Sequence, residues 1–119
     1  MDNWICKEEA FKIIGAAMAV HRALGCGFTE KVYQDALELE FKAQGIPYQR
    51  EIPLHASYRG IRLKAEFIPD FICFERVIVE LKAVRELDDT HRSQAINYAK
   101  VANADLALLI NFGEMSLRY

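Results

Sequence analysis

Cysteine, proline and long hydrophobic runs are all scarce in this sequence. The three cysteines, Cys6, Cys26 and Cys73, are widely spaced and form no CxxC pair, so they indicate neither a disulfide framework nor a zinc site. No segment approaches the roughly 18 to 20 apolar residues that a membrane-spanning helix needs. The N-terminal stretch "MDNWICKEEAF" carries acids early and no apolar signal region. We therefore expect a cytoplasmic protein with no membrane anchor.

An excess of positive charge is missing as well. The formal net charge is -2, which argues against a protein whose only task is to coat nucleic acid. An enzyme with a local basic rim and an acidic metal site remains compatible with this charge, because the two would nearly cancel in the sum. A length of 119 residues, with 52% hydrophobic and 27% charged residues, is typical of one folded domain, which we expect over residues 1–119.

The first of three predicted helices covers residues 7–24. Its apolar residues recur at helical spacing and predict a buried stripe formed by Phe11, Ile14, Met18 and Leu24, widened by Ile13, Ala17 and Val20.

Two further helices are predicted from their end signals. The second covers residues 30–44, with Thr29 as the N-cap, and ends at Gly45. The third lies in residues 87–103, where Asp88 or Asp89 can cap the start and Asn103 can close the end.

Strands are predicted between the helices and after the last one. Residues 48–58 are moderately strand-like, and residues 61–67 alternate cleanly between apolar and charged side chains. Residues 70–74 and 77–84 form a predicted hairpin, and residues 105–112 form a nearly all-apolar buried strand. The element order ααβββαβ, with a ragged extra strand at the end, predicts a sheet covered by helices on both faces.

Three charged residues interrupt the apolar hairpin. Asp70, Glu80 and Lys82 lie in surroundings where an unpaired charge is costly. A three-residue hairpin loop would place Asp70 opposite Glu80, about 4.5 to 5.5 Å apart at Cβ, with Lys82 on the same face. A two-residue loop would instead pair Asp70 with Leu81 and divide the cluster between the two faces. The sequence alone does not choose between these registers.

The first register has a chemical use. Two neighbouring carboxylates repel each other and raise one pKa, and a hard divalent cation such as Mg²⁺ relieves this repulsion. A lysine beside the cation can orient a water molecule or stabilise charge that develops on a phosphate oxygen. The ordinary alternative is a salt bridge of Lys82 with Glu80 or Asp70 on a solvated sheet face.

The same residues form a recognisable pattern. Pro69 precedes Asp70, and Glu80, Leu81 and Lys82 end an apolar strand, which together resembles the "PD…ExK" signature of the PD-(D/E)xK nuclease superfamily. Members of that superfamily share an αβββαβ core, which matches the predicted element order.

Two further motifs strengthen the resemblance. Gly27, Glu30 and Tyr33 occupy the positions of the GxxExxY pattern, which names a family of small bacterial and archaeal proteins in this superfamily. Gln94 and Tyr98 fit the QxxxY motif of the RecB-like nuclease branch. The likeness covers nearly the whole chain, with its motifs in the expected order.

The resemblance implies a restriction-endonuclease-like α/β fold, with a central mixed sheet flanked by helices and an extra N-terminal helix. It also implies a Mg²⁺- or Mn²⁺-dependent nuclease that acts on nucleic acid, with DNA favoured over RNA. Asp70 and Glu80 would bind the metal, and the main-chain carbonyl of Leu81 is a further candidate ligand. Lys82 would assist the attack by water, and Gln94 would hold a carboxylate or a substrate phosphate.

Helical residues extend this candidate site. Glu30 is implied as a further acid, although an acid in a first helical turn is also favoured by the helix dipole alone. Tyr98 would brace the site or contact the substrate, or else form part of the half-buried core. His91 and Arg92 lie near a helix N-terminus suited to phosphate, or else are simply solvated.

Basic residues near the strands could contact phosphates: Arg50, Arg59, Arg62, Lys64, Arg76 and Arg85. Their alternation equally fits a solvated sheet face. No aromatic stacking platform and no base-reading helix stands out, so we expect no sequence specificity. The rival function is a non-catalytic nucleic-acid-binding or assembly module that keeps the nuclease fold, and a phosphate-ester hydrolase of another kind is a third. Such a short chain leaves room for a homodimer or a partner protein.

Overall fold

The computed structural model describes residues 5–119, and these form three helices and six strands. The helices are α1 (Lys7–Leu24), α2 (Glu30–Gln44) and α3 (Asp89–Ala102). The strands are β1 (Tyr48–Arg50), β2 (Ser57–Tyr58), β3 (Ile61–Arg62), β4 (Phe71–Cys73), β5 (Val77–Lys82) and β6 (Leu106–Asn111). This mixed α/β architecture confirms the predicted fold class.

The central sheet contains four strands in the order β1-β4-β5-β6. β4 pairs antiparallel with both β1 and β5, whereas β5 and β6 are parallel. Parallel neighbours need a crossover connection, and α3 supplies it between β5 and β6. β2 and β3 form a separate two-stranded hairpin.

Helices cover both faces of the sheet, as predicted. Alternate residues of β5 point to opposite faces: Val77, Val79 and Leu81 join the apolar core under α1 and α2. Ile78 and Glu80 point to the other face, where α3 packs against β5 and β6. The side chains of the candidate site therefore lie on the α3 side of the sheet.

The predicted buried stripe of α1 is wrong in part. Phe11 is 50% exposed and Met18 is 39% exposed, whereas the fully buried positions include the small residues Ala16 and Ala17. Ile13, Ile14 and Val20 of the predicted stripe are buried. Small residues on the same side of α1 allow close packing of the helix on the core. Within residues 5–119, no helix combines the length and hydropathy needed to cross a membrane.

The predicted strand over residues 61–67 is largely absent from the described structure. Ile61–Arg62 is the strand that the described structure contains there, and it pairs with β2 and not with the central sheet. Phe67 forms an isolated bridge with Leu54. Ile61 is 68% exposed and Leu63 is 42% exposed, so the alternating pattern does not mark a face buried in the core. The chain turns back at Arg59 and Gly60, which both have positive φ (54° and 77°), as a tight mirror-image hairpin turn requires.

The predicted helix ends agree with the structure. Asp88 is the N-cap of α3, where its side chain accepts a hydrogen bond from the main-chain N–H of His91. Asn103 ends α3 in a left-handed conformation, and Gly45 does the same for α2. Thr29 occupies the N-cap position of α2 but, within residues 5–119, its side chain makes no capping hydrogen bond.

Candidate functional site

The register of the β4–β5 hairpin is the one that brings the acids together. The paired residues are Phe71 with Val79, Ile72 with Ile78, and Cys73 with Val77. The loop therefore spans residues 74–76, and continuing the register by one residue places Asp70 opposite Glu80. Phe74 and Glu75 both have positive φ (56° and 58°) in this loop. A hydrogen bond of 3.0 Å from the Phe74 N–H to the Pro47 carbonyl also anchors the loop.

Asp70 connects the ends of the two strands through its side chain. Its Oδ2 accepts a 2.7 Å hydrogen bond from the main-chain N–H of Leu81. The N–H and the carbonyl of one strand residue point toward the same neighbouring strand. The Leu81 carbonyl therefore faces the Asp70 side as well, while the Lys82 carbonyl faces β6 and accepts a 2.8 Å hydrogen bond from Phe112.

Glu80 is a buried acid with an unsatisfied oxygen. It is only 6% exposed, and no donor in residues 5–119 reaches its Oε1. Burial is the largest cause that raises the pKa of Glu80, the charge of Asp70 and a hydrogen bond between the two carboxyls add to it, and the charge of Lys82 lowers it. The resulting pKa is about 9. The hydrogen bond between the carboxyls needs a proton shared between Asp70 and Glu80. A buried carboxylate in this position lacks a positive partner for Oε1, which is what a bound cation would supply.

Lys82 lies beside the acids but is held by an amide. Its Nζ donates a 3.4 Å hydrogen bond to Oε1 of Gln94, and it forms no ion pair within the described residues. The ordinary alternative of a salt bridge from Lys82 to Asp70 or Glu80 is therefore not what the structure contains. The ammonium group of Lys82 has donors beyond the one that contacts Gln94.

Gln94 and Tyr98 form a unit one helical turn apart on α3. Nε2 of Gln94 donates a 3.1 Å hydrogen bond to the Tyr98 hydroxyl. Burial raises the pKa of Tyr98, the charge of Glu80 raises it further, and the Gln94 hydrogen bond lowers it. The Tyr98 ring stacks on Phe67 with centroids 4.4 Å apart. The structure thus brings together Lys82, Gln94 and Tyr98 next to the acid pair.

Three other predicted site residues make no hydrogen bond or ion pair with this cluster within residues 5–119. Glu30 is exposed in the first turn of α2, and it makes no hydrogen bond or ion pair in the described part of the chain. His91 completes the capping box of α3, where its Nδ1 accepts a 3.2 Å hydrogen bond from the Asp88 N–H. Arg92 pairs with Asp89 at 3.2 Å. The local contacts of His91 and Arg92 stabilise the start of α3.

Gln34 belongs to the site but was not predicted. It is buried in α2, and its Nε2 donates a 3.4 Å hydrogen bond to the main-chain carbonyl of Asp70. Glu51 N–H donates to the same carbonyl at 3.3 Å. Gln34 lies four residues after Glu30 and next to buried Tyr33, and a polar residue on that apolar helix face was the available signal.

Asn111 is a second residue that the sequence analysis missed. It is fully buried, and its side chain makes four hydrogen bonds. Oδ1 accepts from the N–H groups of Val84 and Gly113 at 3.0 and 3.1 Å, and Nδ2 donates to the Val84 carbonyl and to Glu114 at 2.9 and 2.8 Å. Asn111 is opposite Lys82 in the parallel register, so it holds the chain immediately after Lys82.

A Cβ on Gly113 would lie 2.3 Å from the Val84 carbonyl oxygen, so this close approach requires glycine. The sequence signal for the role of Asn111 was its position as a single amide at the end of an apolar strand, followed by Phe112 and Gly113.

A cavity of about 590 Å³ lies elsewhere, between α3 and β6. Its lining is mostly apolar and includes Ile96, Leu108 and Tyr119, with Arg92 at its edge. An apolar lining does not suit a phosphate or a metal ion. The polar cluster at the ends of β4 and β5, and not this cavity, is therefore the candidate site.

The donor set of the cluster fits a magnesium-like ion. Among residues 5–119, no group of three or more His, Cys, Asp or Glu side chains is placed to hold a metal ion. Asp70 and Glu80 together offer two carboxylates, and the Leu81 carbonyl faces the same side. Mg²⁺ is usually bound in proteins through one or two carboxylates, with water and substrate phosphate completing its shell.

Comparison with known proteins places the chain in a superfamily. The model of the PD-(D/E)XK nuclease superfamily matches residues 7–119, and the chain therefore belongs to that superfamily. Its members are nucleases that generally use divalent metals such as Mg²⁺. No curated protein and no solved structure matched the chain significantly. Membership in the GxxExxY family or the RecB-like branch stays a prediction.

Proposed function

We propose that this protein is a Mg²⁺- or Mn²⁺-dependent nuclease that hydrolyses phosphodiester bonds, with DNA favoured over RNA. The observation that carries the proposal is the buried, unsatisfied Oε1 of Glu80 beside Asp70. Keeping a buried carboxylate next to a second, partly exposed one is costly for folding. A metal ion bound by the two carboxylates would offset this cost, and a neighbouring lysine is what a nuclease of this superfamily would use beside the metal.

Asp70 and Glu80 are the proposed metal ligands, with the Leu81 carbonyl as a third. A divalent cation bound there would polarise the scissile phosphate and offset its negative charge. The hydrogen bond from Leu81 N–H holds the Asp70 carboxylate in a defined orientation toward β5. Gln34 and Glu51 N–H hold the main chain of Asp70 from the other side.

Lys82 is the proposed partner of the attacking water. Its ammonium would donate a hydrogen bond to the water or to a phosphate oxygen, where it stabilises the negative charge that develops during attack. Gln94 orients the ammonium through the 3.4 Å contact, and Tyr98 holds Gln94. The QxxxY motif therefore acts on the reaction through Lys82.

Glu30 remains a proposed further acid of the site. It precedes Gln34 by four residues and so lies on the same face of α2, the face that meets the Asp70 main chain. His91 and Arg92 remain proposed phosphate contacts near the N-terminus of α3, which lies on the same side of the sheet as Lys82. Glu30→Gln and Arg92→Ala test these roles.

We also propose that the chain is one nuclease-like domain of the GxxExxY family in the RecB-like branch. Tyr33 supports this, because its hydroxyl donates to the Gly25 carbonyl and accepts from the Phe28 N–H at 3.3 Å. Its ring stacks on Phe112 with centroids 4.5 Å apart. The motif tyrosine thus closes the turn between α1 and α2 over the core.

The test is a cleavage assay on plasmid DNA, linear DNA and RNA with Mg²⁺, Mn²⁺ or EDTA. We expect cleavage with metal and none with EDTA, and we expect Asp70→Asn and Lys82→Ala to remove it. Lys100→Ala is the matched control, because Lys100 is an exposed lysine of α3. Cleavage that survives both site variants would refute the assignment.

Calorimetry with Mn²⁺ separates metal binding from turnover. We expect Asp70→Asn to abolish a binding signal that Lys100→Ala leaves intact. A protein that neither binds metal at Asp70 nor cuts any nucleic acid would favour the rival, a non-catalytic module that keeps the fold.

A further inference from the structure

The β2–β3 arm, defined as residues 57–64, is a hairpin outside the central sheet. Its strands pair only with each other in the described structure. The turn at Arg59 and Gly60 closes the tip, and the Leu63 N–H extends the pairing with a 2.9 Å hydrogen bond to the Ala56 carbonyl. The arm therefore presents most of its surface to the solvent.

The arm is strongly basic in an acidic chain. It contains Arg59, Arg62 and Lys64 and no acid, whereas the whole chain has a formal charge of -2. Some other basic residues near the strands are neutralised locally: Arg50 pairs with two acids at 2.7 Å, and Arg76 pairs with Asp105 at 2.7 Å.

Within residues 5–119, the side chains of Arg59, Arg62 and Lys64 have no hydrogen bond or ion pair. Three cations without acidic partners fit a polyanion from outside the chain.

The arm also exposes an aromatic ring. Tyr58 is 67% exposed and lies opposite Ile61, which is 68% exposed. Side chains that are directly opposed on an antiparallel pair share one face. Arg59 follows Tyr58 at the turn, and Arg62 lies opposite Ser57 on the other face of the arm. An exposed tyrosine on a basic arm can stack on an unpaired base while the cations neutralise phosphates of the same strand.

The base of the arm is connected to the candidate site. Leu54 and Phe67 close it with two main-chain hydrogen bonds of 2.8 and 3.0 Å. Phe67 stacks on Tyr98, which accepts the hydrogen bond from Gln94. Phe67 also precedes Asp70 by only three residues. A nucleic-acid strand that runs from the arm along its base would therefore approach the two acids.

From these observations we infer that the β2–β3 arm binds the nucleic-acid strand that enters the site. Arg59, Arg62 and Lys64 contact its phosphates, and Tyr58 stacks on one of its bases. This inference rests on the proposed function, since it names the surface that holds the substrate of that site. A second copy of the chain is a less suitable occupant, because its net charge of -2 is small beside the three cations of the arm.

The experiment measures binding without cleavage. Asp70→Asn protein is titrated in EDTA against fluorescein-labelled single-stranded and duplex DNA, and anisotropy is followed from 50 to 200 mM salt. In this background, the triple variant Arg59→Ala, Arg62→Ala and Lys64→Ala should bind single strands at least about tenfold more weakly, with a log–log salt slope shallower by about two. Tyr58→Ala should weaken single-strand binding about tenfold and duplex binding less.

The matched control is a triple variant of Arg22→Ala, Lys42→Ala and Lys100→Ala. It removes the same charge from helices α1, α2 and α3 and should change affinity by less than about threefold. Circular dichroism checks that each variant keeps its helices. If the arm variants bind like this control, or if the Asp70→Asn protein binds no nucleic acid, the inference is wrong.

Three further outcomes separate this inference from the alternatives. Wild-type protein that cuts DNA while the arm variants bind normally would overturn the arm inference alone. Protein that binds through the arm but never cuts would overturn the proposed function and leave the arm inference standing. Sedimentation that shows a dimer which Tyr58→Ala dissociates, without loss of DNA binding, would make the arm a contact between copies and overturn the inference.

Discussion

The carboxylate of Asp70 accepts a 2.7 Å hydrogen bond from the main-chain N–H of Leu81, across the end of the β4–β5 pair. β4 does not extend to pair with Leu81, and the Asp70 side chain supplies the missing hydrogen-bond acceptor. The proposed metal ligand is therefore also a structural partner of β5. Removing the acid therefore has two separable effects, one on metal binding and one on folding.

Asp70→Ala and Asp70→Asn separate those effects. Asparagine retains an oxygen that accepts from Leu81 N–H, whereas alanine leaves this N–H without a partner. We expect Asp70→Ala to lower the free energy of unfolding by about 1–3 kcal/mol relative to Asp70→Asn. Urea denaturation in EDTA measures it, and equal midpoints for the two variants would show that the hydrogen bond contributes nothing.

Glu80 should make the metal-free protein less stable at high pH. Its folded pKa, about 9, lies above its ordinary value of 4.5, so the folded state holds more protons between these two values. This contribution to stability is complete below pH 4.5 and is lost as the pH rises toward 9, at no more than about 1.4 kcal/mol per pH unit.

Urea unfolding of wild type and Glu80→Gln from pH 5 to 9, in EDTA, tests that slope. We expect the variant to be relatively more stable at pH 8 and to lack the decline that belongs to Glu80. Added Mg²⁺ should stabilise wild type most at high pH, because the ion binds the deprotonated acid. Parallel pH profiles for the two proteins would contradict a raised pKa.

Lys82 and Gln94 should differ in their effect on turnover. Loss of the ammonium in Lys82→Ala removes a donor to the developing charge and should lower single-turnover cleavage about 100- to 1000-fold. Gln94 acts through Lys82, so Gln94→Ala should cost about tenfold and leave Mn²⁺ binding at Asp70 unchanged. Asn97→Ala, at an exposed position of α3, is the control. A Gln94 variant as active as this control would rule out the positioning role.

Asn111 should contribute strongly to the free energy of unfolding, although the sequence shows it only as one amide at the end of an apolar strand. Asn111→Ala leaves the Val84 and Gly113 N–H groups without their acceptor in a buried site and should cost about 3 kcal/mol. Asn97→Ala should stay within about 0.5 kcal/mol of wild type. Thermal and urea unfolding measure both, and an unchanged midpoint for Asn111→Ala would refute the structural role of its four hydrogen bonds.

Local signals account for what could be predicted about the helices. The bounds of α1 and α2 agree with the predicted ranges, and Asp88 and Asn103 are the predicted caps of α3. Capping and turn preferences depend on residues a few positions apart, so they can be interpreted without the fold. The grouping of Asp70, Glu80 and Lys82 was also predictable, but only for one of two loop lengths.

The register itself depended on contacts between distant segments. The three-residue loop uses positive φ at Phe74 and Glu75, which are not glycines, and the Phe74 N–H is held by the carbonyl of Pro47. Nothing within the hairpin signals that bond. Long-range contacts likewise explain why Gln34 and Asn111 escaped prediction, since their partners at Asp70 and Val84 are far along the chain.

The chain's own order of residues thus specified the helices, the element order and the three charged groups, because these follow from propensities between near neighbours. Folding specified which groups meet, which face of α1 is buried and that residues 57–64 leave the central sheet. Those outcomes depend on how the helices and the sheet pack together, and a periodic pattern does not show which side of an element its neighbours will cover.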